Sequence, residues 1–192
     1  MFYFDLKSGY HHVEIFEGYQ TYLGFSWKHS ISNLVNFYVF TVLPFGLSSA
    51  PHVFTKLLKP LKKHWGYRGL CVAVFFDDGW GIEKVSKLCG VVAYAVRADL
   101  SKAGFLTNED KSVWIPCQML HWLGFTWDSA RGTIEIVDRR VVKITNTTDS
   151  IIASNSVLSA RRLASFTGQI ISTAPVSGNI SRTMTRHCIC LL

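Results

Sequence analysis

The sequence has no C-x-x-C pair, and its five cysteines, Cys71, Cys89, Cys117, Cys188 and Cys190, are an odd number. That argues against a zinc ribbon and against a disulfide framework. A reducing, intracellular setting fits best, with cytoplasm and nucleus undistinguished. No apolar run reaches the ~18 residues of a membrane span, so no membrane partner is expected. The opening residues Met1–Asp5 lack the basic start of a secretory signal. A C-terminal prenylation box needs a cysteine where Ile189 stands. Internal repeats and low-complexity linkers are also missing. Charged residues make up only 17% of the chain and hydrophobic ones 48%, which excludes intrinsic disorder. Acids are the scarcer sign, 13 against 20 Lys and Arg, giving a net charge of +7. No acid follows Asp149, whereas Arg161, Arg162, Arg182 and Arg186 do. Such a balance favours an anionic partner.

What is present suits one domain, or one plus a fragment, in 192 residues. Phe2-Tyr3-Phe4 reads as a short buried strand ending at Asp5. Residues 13–41 read as aromatic-rich strands with turns at Glu17-Gly18 and near His29. Ser48 or Ser49 is placed to cap a helix with Pro51 in its first turn. Phe54, Leu57, Leu58 and Leu61 give that helix a core face, and Lys56, Lys59 and Lys63 a basic stripe. The apolar run Leu70–Phe76 ends in Asp77-Asp78-Gly79, a hairpin signal. A second helix is expected from about Glu83, with Val85, Leu88, Cys89, Val92, Val96 and Leu100 inward and Gly104 as its stop. Short strands follow around 112–115, 120–127 and 133–137. A last helix is expected from Ser159 to Ile171, with Leu163, Phe166 and Ile170 inward. The order predicts an α+β fold with a mainly antiparallel sheet.

Two segments could carry chemistry. Asp5 ends one strand, and Asp77 and Asp78 stand at a hairpin tip. If the strands are neighbours, the carboxylates converge, and such a cluster suits Mg²⁺. The same residues also serve as plain turn chemistry and a strand-end cap. In Leu43-Pro44-Phe45-Gly46, the proline and glycine fix a tight turn, and the following helix N-terminus offers N–H groups to an anion. An ordinary strand-to-helix turn uses the same pattern.

Taken in order, these segments resemble reverse transcriptases. Phe4-Asp5-Leu6-Lys7-Ser8-Gly9-Tyr10-His11-His12 is similar to motif A, and Leu43–Phe54 to motif B. Phe75-Phe76-Asp77-Asp78 is similar to motif C, Ala103–Ser112 to motif D, and Leu123-Gly124-Phe125 to the primer grip of motif E. Phe40–Leu47 and Arg161–Gly168 look most like DIRS-like, tyrosine-recombinase retrotransposons, then Gypsy-type elements. The resemblance implies a palm: an RRM-like antiparallel sheet with helices on one face, partial fingers at 13–41, and a helical C-terminal piece. It divides the chain into a partial reverse transcriptase domain, 1–137, and a basic thumb- or connection-like segment, 138–192.

The resemblance also implies roles. Asp5, Asp77 and Asp78, with the Leu6 carbonyl, would hold two Mg²⁺ ions, with Mn²⁺ as a substitute. Tyr10 would be the steric gate that favours dNTPs, and core packing is its plain alternative. Phe45 and Gly46 would line the nucleotide site. Lys111 would protonate the departing pyrophosphate, unless it is simply a surface lysine. Leu123, Gly124 and Phe125 would position the primer end. Lys56, Lys59, Lys62, Lys63, Arg161 and Arg162 would meet phosphates of a primed RNA or DNA template, and a solvated helix face is the bland reading. The aromatics of 16–40 suit core packing, with stacking on template bases as the other use. A complete enzyme carries fingers ahead of motif A and an RNase H segment with its own acids. Both are expected as partners within a longer polyprotein, so this chain reads as N-terminally truncated. The competing function is a nucleic-acid-binding remnant of a transposon polyprotein that no longer catalyses.

Overall fold

The computed structural model describes residues 1–154 and 158–190 of the 192. They fall into two compact units, Met1–Cys117 and the residues from Gln118 onward. The α+β class is as expected: helices accompany three small antiparallel sheets.

In the first unit, β1 (Phe2–Asp5), β5 (Asp78–Gly81) and β4 (Val72–Phe75) form a sheet in the order β1-β5-β4. Alternation decides which face each side chain takes. Phe2 and Phe4 are fully buried in the core with Phe54, Leu58 and Trp65 of α2 (Ala50–Tyr67) and with Cys89, Val92, Ala93, Val96 and Leu100 of α3 (Ser86–Lys102). Each buried phenylalanine contributes roughly 1.5–3 kcal/mol. Trp114 stacks on Phe4 at 5.7 Å and on Phe2 at 6.2 Å. Tyr3 and Asp5 therefore take the other face. Gly79 and Gly81 lie opposite the two phenylalanines, and their missing side chains give the rings room. A Cβ at Gly79 would sit 2.0 Å from Phe4, and one at Gly81 2.2 Å from Phe2.

Several local expectations shift. The hairpin turn is Phe76-Asp77, between the paired Phe75 and Asp78, and Gly79 lies inside β5. Packing against Phe4 claims the glycine for the strand, so Phe76 takes the positive φ of 52° instead. Ser49 occupies the N-cap of α2 but makes no side-chain capping bond. Leu57, Val85 and Leu88 are exposed. The α2 face turns instead through Ala50, Phe54, Leu58 and Trp65, and α3 begins only at Ser86. The 112–115 segment is no strand: Val113 makes a single bridge to Tyr3.

Residues 13–41 form a short helix α1 (Glu17–Gln20) and the hairpin β2 (Gly24–Lys28) and β3 (Val35–Val39). Every hairpin residue is exposed, contrary to the core reading of its aromatics. Phe25 stacks on Tyr38 at 5.5 Å and meets Phe40 at 4.9 Å, so the rings pack on one another.

The second unit holds β6 (Met119–Trp122), β7 (Phe125–Asp128) and β8 (Thr133–Ile136), then α4 (Asp138–Ile152), α5 (Ala160–Ile171), α6 (Ala174–Ser177) and α7 (Ile180–Cys190). The units divide at Cys117/Gln118, where the sequence reading cut the chain at 137/138. The expected strand 120–127 is a hairpin broken at Leu123-Gly124, both with positive φ, 52° and 77°. That is the turn a two-residue hairpin prefers, and it needs glycine or tolerates strain. Helices α4, α6 and α7 lie in the segment expected to be helical, but were not placed individually. Helix α5 begins at the expected place, with the Ser159 side chain accepting the Arg162 N–H. Leu163, Phe166 and Ile170 are half-buried. Among the described residues, no helix is long and apolar enough to cross a membrane.

Candidate active site

Antiparallel pairing makes Asp5 and Asp78 direct cross-strand partners, on the sheet face opposite Phe4. Asp77 lies in the adjoining turn, and its carbonyl accepts the Leu6 N–H at 2.8 Å. The carboxyls of Asp5 and Asp78 are within hydrogen-bonding reach, and Asp77 acts on Asp78 through its charge. Burial, then the neighbouring charges of Asp77 and Asp5, push the Asp78 carboxyl above the usual carboxylate range. The Tyr3 hydroxyl opposes this by donating to Asp78 Oδ1 at 2.7 Å. Tyr3 itself is held protonated, first by burial, then by that bond and the three carboxylates.

The outer edge of β1 is braced by residues 106–113. Asn108 N–H donates to the Asp5 carbonyl at 2.8 Å, and the Asp5 N–H donates to Ser112 Oγ at 3.1 Å. Ser112 in turn donates to the Asn108 carbonyl at 2.7 Å. The segment resembling motif D thus holds the strand resembling motif A. Rigid backing of this kind is what a positioned carboxylate needs.

The turn Gly9–His12 runs directly against the acids. A Cβ on Gly9 would lie 3.0 Å from the Cβ of Asp77 and 2.9 Å from Phe54. Tyr10 follows it, its ring 5.3 Å from buried Phe54 and 5.0 Å from exposed Phe45. Packing and surface reach are compatible in this one side chain. Gly46 takes φ 91°, and a Cβ there would meet nothing within 4 Å. Only its backbone conformation demands glycine.

The other predicted residues are placed as follows. Leu6 is buried. Lys111 is exposed beside Ser112, and Lys56, Lys59, Lys62 and Lys63 are exposed on α2. In the second unit, Arg140 covers the Phe125 ring at 5.0 Å and donates to the Leu123 carbonyl at 3.4 Å, beside Gly124. Arg161 and Arg162 are exposed on α5, where Arg162 also donates to Ser150 Oγ at 3.0 Å.

Sequence reasoning missed Tyr3, Asn108 and Ser112. Tyr3 was findable, since it stands two residues before Asp5 and so shares its face. Asn108 acts through its backbone and Ser112 through its hydroxyl on backbone groups, contacts that no spacing reveals.

Among the described residues, no three Asp, Glu, His or Cys side chains form a ready metal cage. The donor chemistry nonetheless suits a hard cation: two paired carboxyls, a third beside them, and burial together with mutual repulsion raising Asp78. A divalent ion would relieve that repulsion.

The family model described as reverse transcriptase (RNA-dependent DNA polymerase) matches residues 1–127. No curated protein matches the sequence. The foamy viral protease-reverse transcriptase in complex with RNA/DNA hybrid is 21% identical, with TM-score 0.69 over 99% of this chain and 23% of that one. Its dRH form in complex with double-stranded DNA is 20% identical, with TM-score 0.67 over 90% of this chain and 27% of that one. A further double-stranded DNA complex is 21% identical, with TM-score 0.63 over 88% and 31%. The chain thus spans between about a quarter and a third of the solved chains it matches. At these identities the likeness is one of fold.

Proposed function

The chain belongs to the reverse transcriptase family, and we propose that it is the palm-bearing part of an RNA-directed DNA polymerase of retrotransposon origin. The observation that carries this is the cross-strand pairing of Asp5 with Asp78, with Asp77 in the adjoining turn. The phrases Phe40–Leu47 and Arg161–Gly168 support a DIRS-like lineage. Residues 138–192 are assigned to a thumb- or connection-like segment, and the exposed β2–β3 hairpin to part of the fingers.

Asp5, Asp77 and Asp78, with the Leu6 carbonyl, would hold Mg²⁺, or Mn²⁺ in its place. When bound, two such ions supply charge neutralisation for the attacking oxygen, the phosphate and the leaving oxygen. Everything else falls to the chain's own residues. Tyr3 fixes the orientation of Asp78 through its hydroxyl. Tyr10, backed by Phe54 and flanked by Phe45, presents a ring that excludes a ribose 2′-OH. Gly46 gives the nucleotide close access to the backbone. Leu123, Gly124 and Phe125 hold the primer end. Lys56, Lys59, Lys63, Arg161 and Arg162 hold phosphates without reading sequence. The primer 3′-hydroxyl gives its proton to solvent, its oxygen bonds to the α-phosphorus of a dNTP, and the bond from that phosphorus to the oxygen of the β-phosphate breaks. Lys111 gives its proton to the departing pyrophosphate. Positioning and charge do most of this work.

The test is extension of a DNA primer on an RNA template with dNTPs and Mg²⁺ or Mn²⁺, beside Asp77→Ala/Asp78→Ala. Incorporation lost in the variant is expected. Salt-sensitive primer–template binding without incorporation would instead identify a nucleic-acid-binding remnant.

A further inference from the structure

His12 lies outside the acids and the nucleotide-facing residues, yet its ring bridges two of the segments described above. Its Nδ1 lies 3.1 Å from the Gly9 carbonyl, within the turn that carries Tyr10. Its Nε2 lies 3.1 Å from the Leu106 N–H, in the segment that leads to Lys111. Both partners are backbone groups of fixed polarity. A carbonyl only accepts and an N–H only donates. One ring form alone satisfies both: neutral imidazole with the proton on Nδ1 and the lone pair on Nε2. The ring also packs on Phe105 at 5.5 Å. Around it, the Lys7 N–H donates to the Leu106 carbonyl at 2.8 Å, and Gly9 leaves no room for a side chain against Asp77 and Phe54. Among the described residues, the hydrogen bond from the 105–111 segment to the Gly9–His12 turn is the one accepted by the imidazole.

We propose that His12 is a positioning residue, a neutral imidazole clamp that fixes the Tyr10-bearing turn to the segment carrying Lys111. It touches no reacting atom. The importance of Tyr10 and Lys111 rests on the polymerase proposal, but the clamp itself does not. Glutamine can reproduce it, because its amide offers an NH2 group with two N–H donors and a carbonyl acceptor on a chain of similar reach. Leucine fills the space and supplies neither.

The test uses the isotope-labelled full chain and compares wild type, His12→Gln and His12→Leu by NMR, without any substrate. The His12 ring nitrogens should show the Nδ1–H form. The Leu106 amide should exchange with solvent slowly in wild type and in His12→Gln, and about tenfold faster in His12→Leu. Thermal unfolding of the three variants shows whether the leucine variant is folded. If it is not, the tautomer and the glutamine variant still decide. A second arm measures the dNTP-over-rNTP preference during primer extension. It should fall in His12→Leu and return in His12→Gln. An Nε2–H tautomer, or a Leu106 amide indifferent to His12→Leu, would overturn the clamp. Absence of incorporation in wild type with the clamp intact would count against the polymerase proposal alone.

Discussion

Gly79→Ala is expected to damage the first unit more than any other single methyl addition on the site strands. The added Cβ would stand 2.0 Å from Phe4 Cζ and 2.3 and 2.6 Å from two further ring atoms. Ordinary contact needs 3.4 Å or more, so the ring must retreat by about 1.4 Å in a close-packed core. It has nowhere to go: Trp114 stacks on it at 5.7 Å and Trp65 meets it edge-on at 6.3 Å. Overpacking typically costs about 1–3 kcal/mol, and the blocked retreat puts this site at about 3 kcal/mol. For a domain of this size that is a fall in Tm of about 10 °C. Because Phe4 and Gly79 directly adjoin Asp5 and Asp78, primer extension should fall with it. Thermal and urea unfolding followed by circular dichroism measure the loss. Phe4→Leu in the same chain should relieve part of the overlap, giving a coupling of at least about 1 kcal/mol in a double-mutant cycle. A loss below about 0.5 kcal/mol, or strict additivity with Phe4→Leu, would refute the packing account.

Gly66→Ala is the counterpart: it lies in α2 with nothing within 4 Å of its would-be Cβ, so it should raise stability by about 0.4–1 kcal/mol in urea unfolding. Asp78→Asn should stabilise the ligand-free chain at neutral pH while abolishing incorporation. The folded-state pKa of Asp78 is raised, so its destabilising effect is absent below the ordinary carboxylate value and appears as pH rises through the folded one. The gain should therefore vanish in unfolding curves taken below about pH 4. Asp99→Ala removes the acceptor of the buried Trp65 indole N–H, 3.0 Å away, and the partner of Arg68 at 3.1 Å. It should cost about 1–3 kcal/mol in unfolding, and Asp99→Asn less.

Strands β1, β4 and β5 were legible because alternation and chemistry agree there. Phe2 and Phe4 are buried, which sends Tyr3 and Asp5 to the opposite face, and the Asp-Gly signal marks a hairpin near the right place. The turn slipped because local preference puts glycine in the loop, while the Phe4 ring requires it in the strand. Periodicity alone put Leu57, Val85 and Leu88 inward. A helix face several residues wide does not reveal which edge meets the sheet. The hairpin aromatics were misread because hydrophobicity measures what should be covered, not what this chain covers. Helix α4, Asp138–Ile152, was not placed individually because its threonines and β-branched residues are indifferent helix formers. Tyr3 and His12 acquire meaning only through partners 75 and 94 positions away, Asp78 and Leu106.

Iron-directed cleavage tests most directly whether the sequence-distant acids converge on one cation. Fe²⁺ with ascorbate and peroxide, added to the chain with primer–template, cuts backbone next to a bound ion, and mass spectrometry maps the cuts. Cleavage is predicted in both Phe4–Lys7 and Phe76–Gly79, suppressed by excess Mg²⁺ and lost in Asp5→Asn/Asp78→Asn. Cleavage confined to one of the two segments, or insensitive to Mg²⁺, would contradict a shared cation site built by Asp5, Asp77 and Asp78.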